Sequence, residues 1–597
     1  MHSMSVIRVV TLCSILALGA CGGGGSGNRD GGVQALNTGL AIAGNYSTGI
    51  AAFGDTVLVL VNEVEQNGND LNGDGDTGDD VMHAVDSLTG SVTNLGVSAT
   101  PGIVSTTGHV AWGAREADEG LVDFTGDGDF GDTVLVIFNP NLPAGPGNPN
   151  VTGLQIEPAA GVRTDGSSFF FVSSEFQSAQ DINGDGDFND FALRMVDPVT
   201  LTVTVVPQSL NPNAVGAFVR NGIAVFEVSE ADQNLGMMGA GVDLNLDGDT
   251  SDFVLMGLDL ATQTTFAVGP GGRSRAVETG SFTIGGTMAQ PSILYGISEM
   301  AEGGLSLNAG IANDIDASDV VAAVFDVATM TETLPGGGIA IQAARLRISE
   351  TRGVITAREG DNGAIAADYN NDGDGEDFVP FWFDLQNPAQ AQNVGVATDD
   401  GTTTSTPGVC GNHFVITALE SAQGPNGTNY NQAVGDTDTS DTVPFFVSTI
   451  NGTTTPVNLG LAGDQVICGS ATEQFVVMIA EESNNDRDLN SDGDSGDEHP
   501  IFFKVQNDVI DPTPILIVTG PGNTVVQSCP TSLRFVSFSQ ENTQQGFGDL
   551  NQDGDFDDYA VVSVQISLAD GRTMGSSIVG TVDTELAMTT FPLQISR

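Results

Sequence analysis

Seven times along this chain of 597 residues the same acidic segment returns: DLNGDGDTGD from Asp70, DFTGDGDFGD from Asp123, DINGDGDFND from Asp181, DLNLDGDTSD from Asp243, DYNNDGDGED from Asp368, DLNSDGDSGD from Asp488 and DLNQDGDFDD from Asp549. Two worn copies keep only the later acids, Asp314, Asp316 and Asp319 in one and Asp436, Asp438 and Asp441 in the other. With these included, the segments begin near 70, 123, 181, 243, 310, 368, 432, 488 and 549, a spacing of 53 to 67 residues. This is an internal repeat, so the fold must let a unit of about 60 residues stack on copies of itself.

The residue types point to a hard cation. Calcium takes six to eight oxygens at about 2.3 to 2.6 Å, and alternate side chains of one tight loop can supply several of them. In the first copy Asp70, Asn72 and Asp74 hold positions one, three and five, Asp76 offers its backbone carbonyl at seven, and Asp79 closes the set at ten. Gly75 stands at six, where a ligand loop turns sharply and positive φ is needed. The same positions are Asp123, Thr125, Asp127, Asp129 and Asp132 in the second copy, and Asp181, Asn183, Asp185, Asp187 and Asp190 in the third. They are Asp243, Asn245, Asp247, Asp249 and Asp252, then Asp368, Asn370, Asp372, Asp374 and Asp377, in the next two intact copies. The last two copies offer Asp488, Asn490, Asp492, Asp494 and Asp497, and Asp549, Asn551, Asp553, Asp555 and Asp558. A single such run reads equally well as a solvated turn; seven in one phase, each followed by an apolar strand, favour about seven structural calcium sites. The two worn copies are expected to be turns without an ion.

The loop is not an EF-hand, because position twelve is apolar, as at Val134, Val254 and Val379, where that motif has a bidentate Glu. Its opening resembles the calcium loops of integrin-type FG-GAP blades, which place the final Asp at nine.

Composition narrows the partners. With 77 acids against 17 bases the net charge is −60, which repels nucleic acid and anionic membrane surfaces. Residues 1–20 read as a processing segment: Arg8, an apolar run from Val9 to Leu18 too short to span a bilayer, then Leu18-Gly19-Ala20-Cys21. This resembles a bacterial lipoprotein signal. The resemblance implies lipidation of Cys21, a flexible tether over 21–34, and, with Gly22 next, anchorage to the outer membrane, facing either the periplasm or the surface.

Each unit from 35 to 597 reads as four short strands: in the first, Gly49 to Phe53, Thr56 to Val61, Val81 to Val85 after the acidic loop, and Ser91 to Val97 after a turn. Val, Phe, Ile and Thr dominate these runs, so the chain is all-β, and unit length and strand count are those of a propeller blade. Segments such as VMHAVDSLTGSVTNLG and VLMGLDLATQTTFAVG are similar to blades of TolB-like and tricorn-type propellers. That resemblance implies a single β-propeller of nine blades, with eight as the alternative, and all the acidic loops on one face.

A Glu ends the second strand of every unit: Glu63, Glu116, Glu175, Glu230, Glu299, Glu359, Glu420, Glu481 and Glu541. It suits an extra ligand or a structural hydrogen bond. Cys410, Cys468 and Cys529 recur at nearly one place in successive repeats, which allows either a disulfide between neighbours with one thiol left over or three small buried residues.

For function, the leading expectation is a lipid-anchored, calcium-stabilised, monomeric binding scaffold for a protein or polysaccharide. The first alternative is a carboxylate-based glycan hydrolase or lyase, and the second a periplasmic scaffold in envelope assembly. His83, His109, His413 and His499 are scattered and read as strand or rim residues, and no catalytic motif stands out. Arg273 and Arg275, in a longer connection of the fifth unit, suit either a contact site or a local salt bridge.

Overall fold

The computed structural model describes residues 50–53, 56–64, 66–86, 89–145, 147–211, 216–233, 241–310, 314, 316–363, 367–398, 408–450, 454–463, 465–469, 475–489, 495 and 498–516, together with 34–35, 40, 524–529, 532–540, 559–567, 573–582 and 594–596. Their strands form nine sheets, one per repeat. In the first, Ile50–Phe53, Thr56–Asn62, Asp80–Asp86 and Val92–Ser98 pair antiparallel in chain order, close to the expected bounds. Seven sheets have this four-stranded meander; the eighth and ninth carry additions. In the eighth, Ile515–Leu516 pairs with Glu498–Gln506 beside the short strand Val509–Ile510. In the ninth, Gln34–Ala35 joins Thr573–Val582 in parallel on one side and Gln594–Ser596 joins Thr524–Cys529 in parallel on the other. Repeated antiparallel meanders of this size are propeller blades, and the chain is an all-β protein of the β-propeller class with nine blades.

Contacts gather the chain into two compact units. One spans 208–489 and 495–517 and holds blades four to eight; the other, including 9–207 and 518–597, holds blades one to three and nine. In the latter, Val110, Trp112 and Ala114 of one strand pack with Leu58, Leu60 and Met82 of the first blade. Ala111, between them, faces the opposite way, in a cluster with Phe169, Phe171 and Val196 of the third blade. In the other unit, blades five and six share a cluster of Leu294, Val324, Ile355 and Phe383. Because both faces of a blade are covered, its middle strands read as unbroken apolar runs such as TVLVIF instead of alternating. Each fully buried Val, Leu or Phe contributes about 1.5 to 3 kcal/mol, which is the driving force for stacking.

Cys410 and Cys468, on the first strands of blades seven and eight, form a disulfide with Cα atoms 5.9 Å apart. The side chain of Cys529 lies outside the described residues, as do residues 1–33 with Cys21. The bond closes a separation of 58 residues, for which chain-entropy estimates give about 4 kcal/mol. Cys410→Ala with Cys468→Ala is therefore expected to lower the thermal midpoint markedly, and reductant to do the same to the natural protein; a midpoint indifferent to reductant would contradict the bond.

Candidate metal centre

The site begins where the second strand of a blade ends. Second strands such as Thr56–Asn62, Val110–Arg115, Ile223–Ser229 and Phe475–Glu481 are each followed at once by a glutamate. Glu63, Glu116, Glu175, Glu230, Glu299, Glu359, Glu420 and Glu482 are all fully buried. In the eighth blade the residue in this place is Glu482. Glu481, named from sequence, is still in the strand opposite Glu498 and binds the Asn484 amide instead. Glu541 lies outside the described residues.

Each buried carboxylate accepts amides from the start of its own loop. Glu63 Oε1 takes the Leu71 and Asn72 amides at 2.5 and 3.4 Å, and Glu116 Oε1 takes those of Phe124 and Thr125 at 2.7 and 2.9 Å. Glu175 does the same for Ile182 and Asn183, and Glu230 for Leu244 and Asn245. Glu299, Glu359 and Glu420 take Leu307, Tyr369 and Tyr430, and Glu482 takes Leu489 at 2.6 Å.

Within the loop, side chains at odd positions cap the amide two residues on. Asn72 Oδ1 accepts from Asp74, Asp74 Oδ1 from Asp76 and Asp76 Oδ1 from Gly78. The ladder repeats through Asn245, Asp247 and Asp249, and through Asp372 and Asp374. Position one shapes the turn: both oxygens of Asp70 are taken by the Gly73 and Gly75 amides, and those of Asp123 by Gly126 and Gly128. Gly75, Gly128, Gly186, Gly248 and Gly373 at position six have φ between 102° and 110°, the left-handed conformation expected there.

This wiring gathers carboxylates around one point. Glu63, Asp76 and Asp79 each bring an oxygen within 4.8 Å of the others, as do Glu116, Asp129 and Asp132. The same holds for Glu175, Asp185, Asp187 and Asp190, and for Asp247, Asp249 and Asp252. The carboxylate of position seven and that of the strand-end Glu both lie in these groups, beside the backbone carbonyl that the sequence suggested at position seven. Burial raises the carboxyl of Asp79 to about 7 and that of Asp132 to about 6. It does the same for Asp252, to about 6, and Asp377, to about 7. In each case desolvation outweighs the position-three hydrogen bond. The second oxygens of Glu116, Glu175 and Glu230 are buried without a hydrogen-bond partner. An all-oxygen, multiply anionic, desolvated donor set of this kind fits a hard divalent cation.

The first, fourth and sixth loops also touch the blade that follows, whereas Thr125 of the second bonds within its own loop. Asn72 Nδ2 donates to Asp79 at 3.1 Å and to the Asp118 carbonyl, two residues beyond Glu116, at 2.7 Å. Asn245 reaches Ala301 and Asn370 reaches Ala422 in the same way. Asp74 and Asp372 accept the amides of Gly120 and Gly424, four residues beyond the next glutamate and both at positive φ. A clamp faces back: Asn362, Gln423 and Asn485 pair both amide atoms with the backbone of Ala340, Ala397 and Ala462 in the preceding blade. These interlocks carry no signal in a single repeat, since they appear only when neighbours are stacked.

Of the remaining predicted residues, Asp488 and Leu489 are described, whereas Asn490, Asp492, Asp494 and Asp497 and the whole loop from Asp549 to Asp558 lie outside the described residues. His413 is buried 3.0 Å from Asp508, His499 lies 3.3 Å from Glu482, and His83 bonds the Val81 carbonyl, so no histidine cluster forms among them. Arg275 is buried between Glu302 at 2.6 Å and Glu332 at 2.7 Å, with Tyr295 on Glu332, which is the salt-bridge reading.

No protein-family model matches the sequence, and a search of curated proteins found no match. Among solved structures, the tricorn protease is similar over 87% of this chain and 57% of its own, at 9% identity and a TM-score of 0.24. Porphyromonas gingivalis dipeptidyl peptidase 4 is similar over 81% of this chain and 60% of its own, at 8% identity and a TM-score of 0.37. An oligogalacturonate lyase from Vibrio parahaemolyticus is similar over 75% of this chain and 89% of its own, at 9% identity and a TM-score of 0.27. This chain therefore spans less than two thirds of the two peptidases.

One buried acid stands apart from the loops. Glu227 lies inside the second strand of blade four, accepting from Asn211 Nδ2 at 2.6 Å and the Gly280 amide at 2.5 Å, and desolvation raises its carboxyl from 4.5 to about 7. A carboxyl raised on folding stabilises the fold when protonated; that contribution is complete below about 4.5 and is lost as the pH climbs through about 7. Relative to the natural protein, Glu227→Gln should gain in thermal midpoint as the pH rises from 4.5 to 8, from a baseline lowered at both values because the Gln amide keeps one acceptor for the two donors, Asn211 and Gly280. Equal shifts at both values would show that Glu227 does not titrate this way.

Proposed function

We propose that the chain is an exported β-propeller scaffold, tethered by a lipid on Cys21 to the bacterial outer membrane, whose acidic loops hold structural calcium and whose blades present a binding surface to a protein or polysaccharide. The observation that carries this reading is the grouping, in the first three blades, of a buried strand-end Glu and a buried position-ten Asp with the more exposed carboxylate of position seven. Calcium suits it because the ligands come from one flexible loop and are oxygens only; magnesium demands a stricter octahedron and keeps its waters. The Gly-rich stretch after Cys21 supports a tether.

Calcium in this role is a brace. In each loop five acidic side chains, counting the strand-end Glu, crowd together, and a dication removes their repulsion while crosslinking the loop to the end of its own strand. At ten times the dissociation constant each site adds about 1.4 kcal/mol to the folded state, and extracellular modules bind calcium at about 10⁻⁴ to 10⁻³ M. Thermal scans of one preparation in 10 mM calcium and in chelator should therefore differ by many degrees, with the loop end of the blades cleaved by protease only in chelator. Superimposable scans would end the calcium reading.

A further inference from the structure

We propose that the fifth and seventh loops, worn in sequence and expected to be plain turns, are cation sites too, with a shell rewired around Asn308 and Asn431. This rests on the cation reading of the intact loops, but its evidence is separate.

What the worn loops lack is position one. The residue there is Ser306 in the fifth blade and Asn429 in the seventh. In the intact loops that position spends both carboxylate oxygens on the loop's own amides, so it shapes the turn. The worn loops are instead longer: 11 residues separate Asn308 from Asp319 and 10 separate Asn431 from Asp441, against 7 from Asn72 to Asp79. The insertion hides the asparagine from a reader of the motif, yet the structure returns it to its place. Asn308 Nδ2 donates to Asp319 at 2.8 Å and to Asp314 at 3.2 Å, and Asn431 Nδ2 donates to Asp441 at 3.3 Å. The contacts with the following blade survive as well: Asn431 reaches the Asn484 carbonyl at 3.1 Å, and Asp314 accepts the Gly363 amide at 2.9 Å.

The second line of evidence is the orphaned oxygens. Glu299, Asn308, Glu420 and Asn431 are fully buried, and in each one side-chain oxygen has no hydrogen-bond partner: Oε2 of the two glutamates and Oδ1 of the two asparagines. A buried oxygen left this way is unfavourable by about 1 to 3 kcal/mol. As in the intact loops, where Glu116, Glu175, Glu230 and Asn370 leave the same kind of oxygen, the four lie beside buried carboxylates, here Asp314, Asp319, Asp436 and Asp441, and the oxygen-only set suits a positive ion. Each worn loop keeps four carboxylates, from Glu299, Asp314, Asp316 and Asp319 or from Glu420, Asp436, Asp438 and Asp441, and adds a neutral amide oxygen.

The test counts calcium. Chelator-stripped protein dialysed to equilibrium against 10 mM calcium, so that sites of millimolar affinity stay filled, is expected to hold nine ions per chain above the free calcium level by elemental mass spectrometry, and Asp319→Asn with Asp441→Asn to hold seven. Seven in both would overturn the proposal and leave the intact loops as they are; none in either would overturn the calcium reading as a whole. A second readout avoids any loss of folding in the variants. Tyr430 sits in the seventh loop with its amide on Glu420, and its ring packs on Phe445 at 4.8 Å. In a chain with Tyr369→Phe and Tyr559→Phe, tyrosine-sensitised terbium emission should persist and fall by more than half when Tyr430→Phe is added. Emission unmoved by that change would speak against an ion in the seventh loop.

Discussion

A buried carboxylate that must find donors organises this molecule. Among the described residues the glutamate after the second strand of a blade has left water completely, and a carboxylate placed there needs hydrogen bonds to be tolerated. It finds them in the amides at the start of its own acidic loop, which fixes where the loop begins relative to the strand and so sets the position of every later side chain. The backbone amide of the same glutamate pairs with the carbonyl of the position-ten Asp, as in Glu63 with Asp79 and Glu359 with Asp377, so that both ends of the loop are tied to one residue. The acids between them are held in a crowd that only protons or cations can relieve.

Stacking is specified by polar contacts as well as by the apolar faces. Hydrophobic burial is indifferent to small slips between two flat sheets, whereas the paired amide of Gln423 on Ala397, or of Asn485 on Ala462, is satisfied in one register only. The residues that clamp neighbouring blades are the ones just past the glutamate, so the acidic loop and the blade interface are built around the same few positions.

The repeat, the all-β class and the blade were legible because they rest on local chemistry: apolar runs bounded by turn residues, and acids at alternate positions. The strand-end Glu was visible but its role was open, since a ligand and a hydrogen-bond acceptor look alike in sequence; the structure shows it accepting the amides that open its loop. In the eighth blade two adjacent glutamates defeated counting, because only the pairing of Glu481 with Glu498 shows that the strand ends one residue later than the pattern suggested. Asn308 and Asn431 escaped notice for a related reason. A loop that lengthens between its third and fifth positions breaks the spacing on which motif reading depends, while leaving the three-dimensional positions intact. The reach of Asn72 to Asp118 was beyond any reading of one repeat, because it is a property of two.

That reach has a direction. In four loops the position-three side chain extends to the turn of the next blade in chain order: from Asn72 to Asp118, from Asn245 to Ala301, from Asn370 to Ala422 and from Asn431 to Asn484. Synthesis runs the same way. In these four blades the partner of the position-three side chain is therefore made only after the loop that reaches it.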